Sequence, residues 1–208
     1  MGDIDIMKTL PLAERKKHYI LEVASRLFSR LDFHHVCMED VAREARLAKG
    51  TLYNYFNSKE ELYFAIIETR MQTLIRQLEE RLQYRHPPVM DLRRFVVHLY
   101  SFFLKYPNFF VIWKREEVKT SSPQSKNCRK LRAQLRVMLT AILRRGIAEG
   151  AFRDFSSLNL LGDCIFGIID GMAMRGIHAN ANEDRRKEER ENMFSIILAL
   201  VERGNAHD

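Results

Sequence analysis

The stretch KGTLYNYFNSKEELY, residues 49–63, sets several kinds of polar chemistry on one short helical segment. Thr51, Tyr53 and Tyr55 carry hydroxyls, Asn54 an amide, and Lys49 and Lys59 place a cation near either end. Leu52 and Phe56 are four apart, so they share a helix face and anchor it to a core. That leaves Lys49, Gly50, Thr51, Tyr53, Asn54 and Tyr55 at the front or on the outer face. Such a surface suits a nucleic acid. Hydroxyls and ammonium groups meet phosphates, Gly50 lets backbone approach them, and Asn54 can make two hydrogen bonds to an adenine edge. Ser58 reads as the N-cap of the next helix with Glu61 as its capping-box partner, which puts Lys59 in a first turn. A cation there opposes the helix dipole, and a phosphate would explain it better than helix stability. The plainer alternative makes Tyr53 and Tyr55 amphipathic core residues and the two lysines solvated.

The elements that must hold this face are legible around it. Within MEDVAREARLAKGTLYNYF, two short helices, 38–45 and 49–55, are separated only by Arg46 to Ala48, the pattern of a helix-turn-helix. Val41, Ala42 and Ala45 pack the first of them and Leu47 fills the turn. A helix over 14–31 precedes them, with Ile20, Ala24, Leu27, Phe28 and Leu31 on one face, and Leu62, Ile66, Leu74, Leu78 and Leu82 recur along the next. No run alternates with period two for long enough to make a strand. Breaks stand at HPP 86–88, YPN 106–108, TSSPQS 120–125 and GAFRDFS 150–156. DRRKEERE at 184–191 reads as a solvated helix start. The chain is therefore expected to be all-α with about nine helices: a small N-terminal helix-turn-helix domain, 14–74, and a larger helical domain, 75–208.

Composition narrows the classes. With 208 residues, 46% of them hydrophobic, the chain can bury a core, and a net charge of +7 favours an anionic partner. Met1 to Leu10 lacks the apolar run of a signal peptide, and the longest apolar stretch is interrupted by Asp163 and Asp170. Cys37, Cys128 and Cys164 lie far apart, outside any metal or disulfide spacing. A reduced, cytoplasmic protein is expected, with no membrane, metal or cofactor. There is no glycine-rich phosphate loop or nucleophile elbow, and His34, His35, His98 and His178 are scattered. Catalysis is not expected.

Residues 14–74 resemble the DNA-binding domain of the TetR family of bacterial transcriptional regulators, through LFSRLDF, MEDVAREA and above all KGTLYNYFNSKEELYFAI. The resemblance implies a two-domain, all-α homodimer of about nine helices, a C-terminal domain that binds an effector, and usually repression. It also implies that Lys49, Gly50, Thr51, Tyr53, Asn54, Tyr55 and Lys59 touch DNA, the tyrosines and lysines chiefly at phosphates. Four positions depart from the pattern. Asp32 stands where Gly is common, Arg46 replaces the usual turn Gly and implies a left-handed backbone, and Ala48 and Cys37 replace capping hydroxyls. Arg43 or Arg46 would compensate at the phosphates, and Arg46 joins the candidate DNA contacts.

Beyond residue 75 the resemblance is architectural. Phe95, Tyr100, Phe102, Phe103, Tyr106, Phe109, Phe110 and Trp113 outnumber what one narrow face holds, and two readings stand: a filled core or an apolar cavity. On the second, Phe95, Leu99, Phe102, Phe103, Phe110, Trp113, Met138 and Phe166 line an effector pocket. From 120 to 155, eight lysines and arginines face only Glu149 and Asp154. This is either a solvated face or the head-group site of an apolar or amphiphilic anion such as a fatty acid or acyl-CoA. Leu161, Ile165, Ile168, Ile169 and Met172, with Gly167, Gly171 and Ala173, form one apolar stripe, and Met193, Ile196, Ile197, Leu200 and Val201 another. In the family, two such helices per subunit build a four-helix bundle, so Ile165, Ile168, Met172, Ile196 and Leu200 are the expected dimer contacts. The expected partners are a double-stranded, palindromic DNA operator, a second copy of the chain and a small-molecule effector. The alternative is a TetR-like DNA binder controlled by a protein partner without a small ligand.

Overall fold

The computed structural model describes residues 11–82, 86–118, 125–179 and 182–203. The leader-free reading of Met1 to Leu10 and most of the break at 120–125 lie outside the described residues. Among those described are nine α-helices: α1 Leu12–Arg30, α2 Met38–Glu44, α3 Lys49–Tyr53, α4 Lys59–Arg81, α5 Pro88–Lys105, α6 Pro107–Val118, α7 Ser125–Ala148, α8 Leu158–His178 and α9 Glu183–Val201. A 3₁₀ turn, Phe33–His35, follows α1. The sole β-pairing among the described residues is an isolated antiparallel bridge between Phe152 and Glu202. The all-α class read from the sequence is the class of the structure. No single described helix is long and apolar enough to cross a membrane.

Helix ends follow local chemistry. α5 begins at Pro88, whose missing N–H costs nothing in a first turn, and α6 begins at Pro107 directly after the break at Tyr106. Ser157 accepts from the Leu160 N–H at 3.3 Å and Asn182 from that of Arg185 at 3.0 Å, capping α8 and α9. Gly150 ends α7 at φ 72°, where Ala151 and Phe152 donate back to the Gly146 carbonyl at 2.8 and 3.0 Å. The Phe152 ring occupies the space a side chain on Gly146 would need.

The chain divides into two compact units. The first comprises Met1–Met71 with Asn108–Arg129, so most of α6 folds with the N-terminal helices. Its core includes Ile20, Phe28, Val41, Leu52, Phe56, Ile67, Phe110 and Ile112, all essentially inaccessible. Arg115 of α6 donates to the carbonyls of Phe28 and Leu31 at 2.8 and 3.1 Å, and Ser29 donates to Asn108 Oδ1 at 2.9 Å. Leu31, expected on the buried face of α1, is 44% exposed because the helix stops one residue earlier.

The second unit comprises Gln72–Pro107 and Lys130–Asp208. Here α5 packs on α8, and α9 on both. Gly176 permits the approach: a Cβ there would lie 2.9 Å from Leu104 and 3.0 Å from the Tyr100 hydroxyl. Burial above all, with a hydrogen bond to Glu189 at 3.0 Å, pushes the Tyr100 phenol up to about 12.

Asp91, in the first turn of α5, is wholly buried. Arg145 of α7 donates one nitrogen to Asp91 Oδ2 and to the His86 carbonyl, both at 2.8 Å. The solvated-face reading of residues 120–155 therefore fails at Arg145, while Lys126, Arg129, Lys130, Arg136, Arg144 and Arg153 are exposed. Removing one member of a buried pair strands the other's charge. We expect Asp91→Ala to lower stability by about 3–5 kcal/mol in urea denaturation followed by circular dichroism, and Asp91→Leu with Arg145→Met to recover most of it. A loss under about 1 kcal/mol for Asp91→Ala would refute the assignment.

Candidate nucleic-acid interface

The interface is built by α2, α3 and the turn between them. Cys37 precedes α2 without a hydroxyl, and Asp40 does the capping instead: its carboxylate accepts from the Cys37 N–H at 3.2 Å and the thiol at 2.7 Å. The hydrogen bond from the thiol is the main cause that holds Asp40 below, and Cys37 above, their ordinary values. In the turn, Arg46 adopts φ 54°, and the Leu47 N–H reaches back to the Ala42 carbonyl at 2.9 Å. Arg46 carries the left-handed strain that glycine would avoid. Asp32, by contrast, sits at φ −67°, where no glycine is needed. Ala48 supplies no side-chain cap, and its carbonyl accepts from Thr51 at 2.9 Å.

Leu52 and Phe56 are buried, as their spacing requires, and the rest of the segment is turned outward. Lys49, Gly50 and Asn54 are exposed, Tyr53 is 38% exposed, and Thr51 and Tyr55 are half-buried. The structure thus brings six of the predicted residues onto one short helix and the turn that ends it. Helix geometry stops at Tyr53, and Asn54 and Tyr55 continue as a turn whose N–H groups donate to Gly50 at 3.1 Å and Leu52 at 3.0 Å. No side chain stands within 4 Å of a Cβ added to Gly50, so the front of α3 is open.

Two cations have partners within the protein. The Lys49 ammonium pairs with Glu39 of α2 and lies 5.8 Å from the Tyr53 ring centroid. The hydrogen bond from Lys49 is the main cause that lowers the Glu39 carboxyl, and the same bond raises Lys49. Lys59 donates to the Phe33 carbonyl at 2.9 Å and sits 4.4 Å from the centre of that ring. Its place in a first turn therefore has an intramolecular reason, one that needs no phosphate. The capping box at Ser58 is also shifted. Ser58 accepts from Glu61 as expected, but the Glu61 carboxylate accepts from the Asn57 backbone at 2.7 Å and its side chain at 3.0 Å. Arg43 is paired with Asp40, whereas the exposed Arg46 has no ion-pair partner among the described residues. Sequence reasoning missed Lys17 of α1, whose ammonium stands 6.0 Å from the Phe56 ring, and Glu39. An amphipathic helix has many polar positions, and nothing in spacing marks these two.

The other predicted sets are placed less neatly. Phe110 and Trp113 belong to the first unit, while Phe95, Leu99, Phe102, Phe103, Met138 and Phe166 belong to the second. In the second unit Phe95, Leu99, Phe102, Phe103 and Met138 are buried, and Phe166 is half-buried with its ring 6.1 Å from that of Phe95. The exposed Arg136 guanidinium lies 5.7 Å from the Phe166 ring and pairs with Asp163. Of the expected dimer contacts, Ile196 is 52% exposed and Ile168, Met172 and Leu200 are half-buried. Ile165 is wholly buried and so offers no surface to a partner; Ala173 is likewise core.

Comparison with known proteins agrees with this geometry. Residues 20–66 match the family of bacterial regulatory proteins of the tetR type, and residues 85–174 match the Tetracyclin repressor-like C-terminal domain, together more than half of the chain. The HTH-type transcriptional repressor NicS of Pseudomonas putida is 28% identical over 145 residues, 68% of each chain. The TetR family regulator PfmR of Thermus thermophilus superposes with a TM-score of 0.74 and 29% identity over 86% of this chain and 97% of its own. The regulator FadR of Bacillus subtilis, solved with stearoyl-CoA, shares the fold at a TM-score of 0.71 and 20% identity, over 88% of this chain and 96% of its own. Carrying both halves of that architecture around an outward-facing α3, the chain belongs to the TetR family of helix-turn-helix, DNA-binding transcriptional regulators.

Proposed function

We propose that the protein is a homodimeric repressor that holds a palindromic DNA operator and leaves it when a small-molecule effector binds. The observation that carries this reading is the polar, open face of α3, set by the burial of Leu52 and Phe56 behind it. In it, residues 14–74 read DNA and 75–208 bind the effector and the second subunit. Asn54 contacts a base edge, Thr51, Tyr53 and Tyr55 donate to phosphates, Gly50 admits the backbone, and Lys49, Lys59 and Arg46 add positive charge. Lys49 exchanges Glu39 for phosphate on binding. The accessible apolar positions on α8 and α9, Ile168, Met172, Ile196 and Leu200, form the contact with the second copy, and open space above Gly167 and Gly171 leaves room for close approach. Half-sites then lie about one helical turn apart, ~34–36 Å.

The effector in this reading is an apolar or amphiphilic anion, as FadR's stearoyl-CoA is. Its tail enters among Phe95, Phe102, Phe103, Phe166 and Met138 of the second unit, and its charged end meets the exposed arginines of α7. The link from Arg136 over Phe166 to Phe95 supports that orientation. Release needs only an effector that favours the DNA-incompetent state by a coupling of about 1–3 kcal/mol. α4 gives its residues 59–71 to the first unit and the rest to the second, which makes it the element on which the effector acts.

The test is fluorescence-anisotropy binding to DNA from upstream of the protein's own gene, with scrambled DNA as control, across a salt series and with added acyl-CoA. Expected are preference for the native sequence, steep salt weakening and release by the ligand. Absence of binding at low salt would overturn the DNA reading; binding that acyl-CoA leaves unmoved would overturn the effector class. Asn54→Ala should cost about 1–3 kcal/mol and relax the preference for one base. Arg46→Gly removes the strained side chain, and should stabilise the fold by about 1 kcal/mol while reducing the salt slope by about one per subunit. An unchanged slope would strike Arg46 from the contacts.

A further inference from the structure

A cleft of about 370 Å³ opens on the second unit where the end of α4 meets α5. Arg81, Arg93, Arg94 and His98 give its polar rim, and Met90 and Val97 its apolar wall. An adjoining cleft of about 340 Å³ shares Arg81 and Arg94 and adds His86 and Glu80. Of the shared guanidiniums, Arg81 is without an acidic partner among the described residues and Arg94 has only part of one. Arg81 is exposed, donates to the Gln77 carbonyl of its own helix at 3.0 Å, and has no acidic partner among the described residues. Arg94 pairs with Asp91 Oδ1 at 3.6 Å, sharing that carboxylate with Arg145, which holds the other oxygen at 2.8 Å, and donates to the Arg81 carbonyl at 3.5 Å. Its nearest partner is the His86 ring, 2.5 Å away. Arg93, in contrast, is paired with Glu191 and lies over the Phe194 ring.

The rim also carries a neutral donor. Burial first, then the charges of Arg81 and Lys105, push His98 down to about 4, and its Nε2 lies 3.0 Å from Gln77 Oε1. The imidazole is therefore uncharged at neutral pH and adds no positive charge to the rim. What the first cleft offers, beside an apolar wall, is the fork of Arg81 and that of Arg94, two arginines of which Arg94 shares one carboxylate with Arg145. Guanidinium forks match the oxygens of a phosphate, whose second charge uses both of them; a carboxylate satisfies one. The wall takes a carbon substituent, which bare phosphate lacks.

We infer that this cleft binds a phosphate monoester, with its phosphate between Arg81 and Arg94 and its organic part against Met90 and Val97. The site is separate from the aromatic core assigned to the effector and does not rest on that reading. The occupant is either a free phosphate ester or the phosphate-bearing end of a coenzyme A thioester, and the second source would place that charged end here and not at the arginines of α7.

Isothermal titration of the full-length protein with phenyl phosphate, benzoate and phenol, at constant ionic strength, tests it without DNA. Phenyl phosphate should bind about tenfold more tightly than benzoate, and phenol should give no measurable heat. Arg81→Gln, at an exposed helix end, should weaken phenyl phosphate about tenfold at unchanged melting temperature, and Arg94→Gln should weaken it about tenfold as well. Equal affinity for phenyl phosphate and phenol, or an affinity that Arg81→Gln leaves untouched, would overturn the proposal. Titrations with adenosine 3′,5′-bisphosphate and octanoyl-CoA then separate the sources. An equal loss for both in Arg81→Gln assigns the site to the coenzyme A end; octanoyl-CoA binding that is unaffected while phenyl phosphate is lost assigns it to a free ester.

Discussion

The hydrogen bond from the Leu47 N–H to the Ala42 carbonyl, closed over the left-handed Arg46, fixes the angle at which α3 leaves α2. Everything on the outward face inherits its direction from that turn. Leu52 and Phe56 can be buried only because the chain reverses there, and once they are buried the hydroxyls, amide and lysine of the same segment must point away. A non-glycine residue at this backbone geometry costs on the order of 1 kcal/mol, and here that cost leaves a guanidinium on the surface beside α3.

The N-terminal half was largely legible, for physical reasons. Ile20, Ala24 and Phe28, then Val41, Ala42 and Ala45, then Leu52 and Phe56 repeat at helical spacing with a polar break after each group, and helix burial follows that period closely. The left-handed Arg46 was legible because it stands where the family pattern usually has the turn glycine. Partner choice was not legible. Lys59 has a carbonyl and a ring 26 residues upstream, at Phe33, and Glu61 takes Asn57 in place of Ser58. Those bonds depend on how loops return in space, which composition and period do not encode.

The C-terminal half shows the same limit more sharply. Arg145 reads like its exposed neighbours in a basic helix, and only the fold places a buried carboxylate opposite it. Ile165 carries the period of the stripe it was grouped with, but a wide apolar stripe has an inner and an outer edge, and Ile165 falls on the inner one. Gly167 and Gly171 drew notice as small residues, whereas the glycine that lets α5 and α8 meet is Gly176, against Tyr100 and Leu104. Aromatic density between Phe95 and Trp113 likewise hid a division, since Pro107 separates rings that end up in different units.

The capping of α1 by Arg115 spans 84 to 87 residues of sequence. It joins the C-terminal end of α1 to a helix that lies past the middle of the chain. On the ribosome, where domains form in order as they emerge, α1 to α3 are made early yet cannot close their core until Phe110, Ile112 and Arg115 have left the exit tunnel. The first unit is thus complete only after α5 of the other unit has also been synthesised, so a nascent chain stalled midway carries α3 without Phe110, Ile112 and Arg115.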